Sequence, residues 1–191
     1  IVLTAGTGLL AAGAIGTPGI GAIADKQLGS YLEETRSEAT LAVLEAVEAS
    51  YPQQIERAKA SDDPIAEYGY VATDLEMALA SAKVALAEYQ ANGDLTSRET
   101  PLALRAISDS ALHTPEGFAE QAAELLGAEE ADAQAIRALA ASDAGASAGI
   151  AGRILGPAEG FAGQKSLGLL SWVPLLLTVF FGSIYLNDRR R

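Results

Sequence analysis

Residues 171 to 191 read SWVPLLLTVFFGSIYLNDRRR. An uncharged apolar run ends here in three arginines, in a chain whose formal net charge is -12. From Ser166 to Leu186 there is no charged side chain, and Leu, Val, Ile and Phe recur throughout. About 20 mainly apolar residues suffice for a helix to cross the hydrocarbon core of a bilayer. Trp172 and Tyr185 sit near the two ends of the run, where amphipathic rings anchor at membrane interfaces. The run therefore reads as a transmembrane helix. Arg189, Arg190 and Arg191 read as the basic tail that marks a cytoplasmic flank.

A second uncharged run opens the chain: residues 1 to 24 read IVLTAGTGLLAAGAIGTPGIGAIA. It is richer in Gly and Ala, and with residue 25 it is expected to form a second span. Two spans place residue 1 on the inner side as well, with everything between them outside the cytoplasm. Within the first run Gly8, Ala12 and Gly16 recur every four residues, so three small side chains share one helix face. In lipid such faces let helices approach closely. Thr17-Pro18-Gly19 is expected to break this helix, and Pro174 the last one, because proline removes a backbone donor. The first residue is Ile1 rather than Met, so the chain is expected to begin inside something longer or after a cleavage, and no basic residue precedes Lys26 to form the start of a secretory signal.

Between the runs the character changes. Ser30 to Gln164 holds 23 acidic and 8 basic residues. Charge of that sign argues against nucleic acid as a partner, because binding to a phosphate backbone draws on Lys and Arg. There is no cysteine, which rules out disulfides and thiol redox chemistry. The pattern of this middle is helical. LEETRSEATLAVLEAVEASY is expected to stop at Pro52. DDPIAEYGYVATDLEMALASAKVALAEYQANG starts with an acidic cap and Pro64, and closes at Asn92-Gly93. SRETPLALRAISDSALH forms a third helical stretch, and a fourth begins at Thr114-Pro115-Glu116. Alternating β-branched or aromatic runs are missing. Residues 144 to 165, rich in Gly and containing Pro157, read as a flexible linker back to the second run.

The expected architecture is therefore all-α: a transmembrane helix over 1–25, an acidic Ala/Glu-rich helical domain over 26–143, the linker over 144–165, a transmembrane helix over 166–186 and a basic cytoplasmic tail over 187–191. No catalytic constellation accompanies it, and no enzyme activity or cofactor is expected. His113 stands alone, and a metal site needs several ligands. Glu129, Glu130 and Asp132 are too close in sequence to converge on one point of a helix, and the calcium-loop spacing is not met.

A small-residue span ending in GTPGIGAIADKQ, a long insert, and a span that opens Trp-Val-Pro and closes in YLNDRRR together resemble the last two transmembrane segments of bacterial transporters of the major facilitator superfamily. The resemblance covers about 45 residues at the two ends. It implies an even-numbered helical bundle in a bacterial inner membrane, cytoplasmic termini, two halves that rock about a central site, and further transmembrane helices as partners of this pair. The superfamily's loop signature has Gly, three residues, Asp, a basic residue, one residue and Gly. Gly21, Asp25 and Lys26 fit it, but the next glycine is Gly29, one place late. That loop belongs on the cytoplasmic side, whereas the arginines put Asp25 outside, and the arginines are the stronger sign. Asp25 then caps the exit from the membrane or is a solvated boundary carboxylate. A hairpin-anchored membrane protein whose helical domain binds a protein partner is the alternative. A soluble protein that buries both runs is a third reading, made costly by an all-round apolar helix.

Overall fold

The computed structural model describes residues 2–112, 117–127, 132–170, 177–183 and 185, and gives the backbone alone for residues 2–24, 26, 119 and 165–170. The chain is all-α, with no strand among the described residues. Its helices are α1 (Val2–Ala60), α2 (Pro64–Tyr68), α3 (Ala72–Asn92), α4 (Glu99–Ser108), α5 (Phe118–Gly127), α6 (Ala133–Ser142) and α7 (Ala144–Leu170). Residues 177–183 are helical too.

Helix α1 is the spine. It packs against α7, α3 and α6, while α4 bridges α3 to α7 and α5 lies on α7 and α6. The core is built from alanines set between larger anchors. Leu32, Val43, Leu44, Val47 and Tyr51 of α1 are fully buried, as are Leu75, Ala78, Ala82 and Ala85 of α3 and Ile150, Ala151 and Ile154 of α7. Small side chains at such contacts let helix axes approach toward the short end of the usual range of about 8–10 Å.

Helix ends follow the turn chemistry of the sequence. Asp63 caps α2, its carboxylate accepting from the Ala66 N–H, with Pro64 in the first turn. Helix α3 closes at Gly93, whose φ of 78° is in the left-handed region and whose N–H donates to the Tyr89 carbonyl. Glycine adopts that conformation without the cost a Cβ imposes. Asp132 caps α6 through Gln134 and Ala135, and the Asp143 carboxylate accepts from the Gly145 N–H at the start of α7.

Four expectations change. The single helical stretch expected from Asp62 to Gly93 is two helices, α2 and α3, parted at Gly69, whose φ of 76° is in the left-handed region. Helix α1 does not stop at Pro52 but continues to Ala60. Pro52 and Glu48 both lie on the exposed face, so the carbonyl that loses its donor reaches water, while buried Tyr51, Gln54 and Ile55 hold the last turns to the core. Residues 144 to 165 are not a flexible linker: all belong to α7. Ala144, Ser147, Ala148, Ala151, Ile154, Leu155, Ala158 and Ala162 are buried at helical spacing, and Pro157 stands on the exposed side. The expected break at Pro18 is absent as well. Helix α1 runs through it, across the 25/26 boundary, and departs from helical geometry only at Arg36 (φ -141°, ψ 20°).

That departure has a local cause and a large effect. The Thr35 hydroxyl donates to the Tyr31 carbonyl at 2.7 Å, a back-bond that competes with the helix ladder and bends it. Asp25 and Tyr51 would stand about 39 Å apart along a straight helix. Both nonetheless meet α4 or its end, at Arg105 and Ser110 respectively, so α1 bends at Arg36 to lay both halves against one short helix.

Among the described residues no helix is long and apolar enough to cross a membrane. The first run, expected as a span over 1–25, is helical from Val2, and its side chains up to Ala24 lie outside those described. The second, expected over 166–186, is described only at 166–170, 177–183 and 185.

Candidate functional site

Asp25, the carboxylate that ends the first uncharged run, does not stand in solvent. Its side chain is 17% exposed, and its two oxygens lie 3.7 Å from Arg98 Nε and 3.5 Å from an Arg105 guanidinium nitrogen. Arg105 also reaches α7, where its Nε donates to Glu159 Oε1 at 3.0 Å. Three elements are thereby joined: the start of the charged part of α1, α4 through Arg98 at its N-terminus and Arg105 in its last turn, and α7 a few residues before its own apolar end. Alternating charges at these distances favour both partners, though half-exposed pairs contribute little to stability. Their effect is positional.

The α3–α4 loop completes this collar. The Leu95 N–H donates to Glu33 at 2.9 Å. Gly29 lies so close beneath the loop that a Cβ there would stand 2.8 Å from the Thr96 carbonyl oxygen. Two residues further on, the Tyr31 ring meets Phe161 at 5.0 Å between centroids. Both uncharged runs thus adjoin one patch of the bundle, framed by Asp25, Arg98, Arg105 and Glu159.

A second polar cluster is buried in the core. The Tyr51 hydroxyl lies 3.0 Å from Ser110 Oγ and 2.8 Å from Ser147 Oγ. Ser110 donates to the Ile107 carbonyl and Ser147 to the Ala144 carbonyl. Four contacts share three hydroxyl protons, so one proton is divided between two acceptors. Burial pushes the Tyr51 phenol above its ordinary value, partly offset by the two serine hydrogen bonds and reinforced by Asp143. At neutral pH it is a hydrogen-bond donor and neither a base nor a nucleophile. This cluster clamps α1, the end of α4 and α7 together.

Gly8, Ala12 and Gly16 lie in α1 at one-turn spacing, where only the backbone is described, and Pro18 lies within the same unbroken helix. Pro174 and Arg189, Arg190 and Arg191 fall outside the described residues, as do His113, Glu129 and Glu130. Asp132, third of that acidic group, is a helix cap. No group of His, Asp or Glu that could hold a metal ion occurs among the described residues. Arg98, Arg105 and Glu159 carried no sequence signal beyond being charges in Ala-rich helices. Tyr51 did carry one, as an aromatic hydroxyl at a position in register with the apolar face of Leu44 and Val47.

Residues 177–183 and 185 present large apolar side chains to the outside: Leu177, Val179, Phe180, Phe181 and Tyr185 are each about half to two-thirds exposed. Phe180 and Phe181 meet edge to face at 5.6 Å. No family model, curated protein or solved structure matches the chain.

Proposed function

We propose that this chain is a membrane-anchored helical bundle, with the two uncharged runs paired in the lipid and the acidic bundle displayed at the bilayer surface. The observation that carries the reading is the collar of Asp25, Arg98, Arg105 and Glu159, which brings the roots of both runs to one patch. A Gly-rich helix, whose small side chains bury little apolar surface, gains from a neighbour. Its small face at Gly8, Ala12 and Gly16 permits close packing, the main source of helix association in lipid. The exposed Phe180 and Phe181 suit an acyl-chain environment better than water. Arg189 to Arg191 favour a cytoplasmic carboxyl end, which leaves the bundle outside.

A narrower reading makes this pair the last two segments of a secondary transporter, and it takes its support from the resemblance of the two ends. In that case the chain needs the helices of the rest of the bundle, and the acidic domain covers the outer mouth. One experiment addresses both. The intact chain, carrying Ala87→Cys at an exposed position of α3 in an otherwise cysteine-free protein, is expressed alone and treated with an impermeant maleimide. The anchored-bundle reading expects stable protein that resists alkaline extraction from membranes and labels on intact cells. Recovery in the soluble fraction overturns it. Labelling only after lysis overturns the outward orientation. Rapid loss of the isolated chain, rescued by added upstream helices, favours the transporter segment.

A further inference from the structure

Helix α3 buries one side against α1 and α4 and leaves a second side with its own pattern. Asp74, Met77, Ser81, Val84 and Glu88 follow at i, i+3, i+7, i+10 and i+14, a spacing that keeps all five on one face. The stripe is about 21 Å long. Its ends are acidic and its middle is apolar: Met77 is 62% exposed and Val84 48% exposed. Beside it, between α3 and α4, lies an open cleft of about 580 Å³, lined by Asp74, Met77, Ala80, Ser81, Ala106 and Asp109 among others. Alanine and serine along its floor leave room for a helix backbone to approach, and a methionine at the rim adapts its shape to a partner.

We propose that this cleft is the docking site for a basic amphipathic helix of a partner protein. Charge selects that occupant. Asp74 and Asp109 form no ion pair among the described residues, and Glu88 accepts only from Asn92 of its own helix. Of the lysines near the stripe, Lys59 is taken up by Glu76 and Glu56, and Lys83 is set about 100° or more round α3 from each of the stripe's residues. An acidic rim around an apolar floor is complemented by a helix with an aliphatic stripe flanked by Lys or Arg. A second copy of this chain would bring more acid to the same rim, and anionic lipid would be repelled by it. The inference does not depend on where the two uncharged runs lie.

The test uses the full chain in neutral-headgroup detergent and a fluorescein-labelled probe of about 15 residues, long enough to follow the stripe. The probe is made of Leu, Ala and Lys, with Leu at helical spacing on one face. Anisotropy is read against empty micelles. Saturable binding is expected, weakened about tenfold by Ala80→Trp, which fills the cleft from an exposed position, and by Asp74→Asn with Asp109→Asn. The double variant Glu120→Gln with Glu124→Gln, which removes equal charge from exposed positions on α5, should bind as the parent does, and circular dichroism should show all variants equally helical. Binding no stronger than to empty micelles overturns the proposal. So does full binding by Ala80→Trp, or equal weakening by the α5 variant, which would reduce the effect to overall charge.

Discussion

Gly29 and Gly160 show how one residue type carries opposite demands. Both are helical, and in an unconstrained helix replacing Gly by Ala gains up to about 1 kcal/mol. At Gly29 an added Cβ would meet the Thr96 oxygen, carbonyl carbon and Cα at 2.8, 3.0 and 3.0 Å. These are backbone atoms, so no rotamer change relieves the clash, and the loop is tied down by the Leu95 to Glu33 hydrogen bond. Overpacking of this kind costs about 1–3 kcal/mol. At Gly160 nothing lies within 4 Å. Urea denaturation should therefore show Gly29→Ala destabilised by a net of about 1–2 kcal/mol, and Gly160→Ala unchanged or stabilised by up to about 1 kcal/mol. Equal midpoints for the two variants would mean that the loop does not press on α1. In the sequence Gly29 stood out only as a loop-signature glycine displaced by one place. What fixes it is a neighbour 67 positions away along the chain, and no local pattern records that.

At the scale of elements, helical character was legible, and so were helix ends marked by a cap at the edge of a stretch, but not the break at Gly69 that divides one stretch into α2 and α3. Asp63-Pro64 and Asn92-Gly93 delimit α2 and α3 through hydrogen bonds made within a few residues. Pro52 and Pro157 misled because the cost of an internal proline depends on whether its orphaned carbonyl can reach water, which is a tertiary fact. The buried register of α7 was present in the letters, but a stripe of alanines carries too little hydrophobic contrast to separate it from a linker. What the Arg36 side chain does was illegible because its partner is distant: the Arg36 guanidinium donates to the Leu126 carbonyl in the last turn of α5. A cation there satisfies a terminal carbonyl and opposes the negative end of the helix dipole. Arg36→Gln should lose about 1–2 kcal/mol of stability. Hydrogen exchange should locate the loss, with amides of α5 exchanging faster while those in the middle of α3 keep their protection. Uniformly faster exchange would deny Arg36 a specific hold on α5.

Across the whole molecule, Tyr51 is where α1, α7 and the segment after α4 meet, because its hydroxyl, near the C-terminal end of α1, touches Ser110 beyond α4 and Ser147 of α7. Tyr51→Phe keeps the ring's packing and removes one donor. The serines retain the Ile107 and Ala144 carbonyls as acceptors, so the loss should be about 1–2 kcal/mol at neutral pH. The pH dependence tests the assignment separately. Burial holds the native phenol above its ordinary value of 10.0, so above that pH the unfolded chain releases a proton that the folded chain retains. The slope of unfolding free energy with pH follows protons bound when unfolded minus protons bound when folded. Here that difference is negative. The contribution is thus whole below pH 10 and disappears as pH climbs through the raised native value, at no more than about 1.4 kcal/mol per pH unit. Tyr70, also raised by burial, adds the same sign and survives in the variant. Stability of the parent should therefore fall more steeply than that of Tyr51→Phe between pH 10 and 11, so that the gap between them narrows. Parallel alkaline limbs would show that the phenol ionises as freely in the fold as outside it, and that three helices are not joined through a buried neutral hydroxyl.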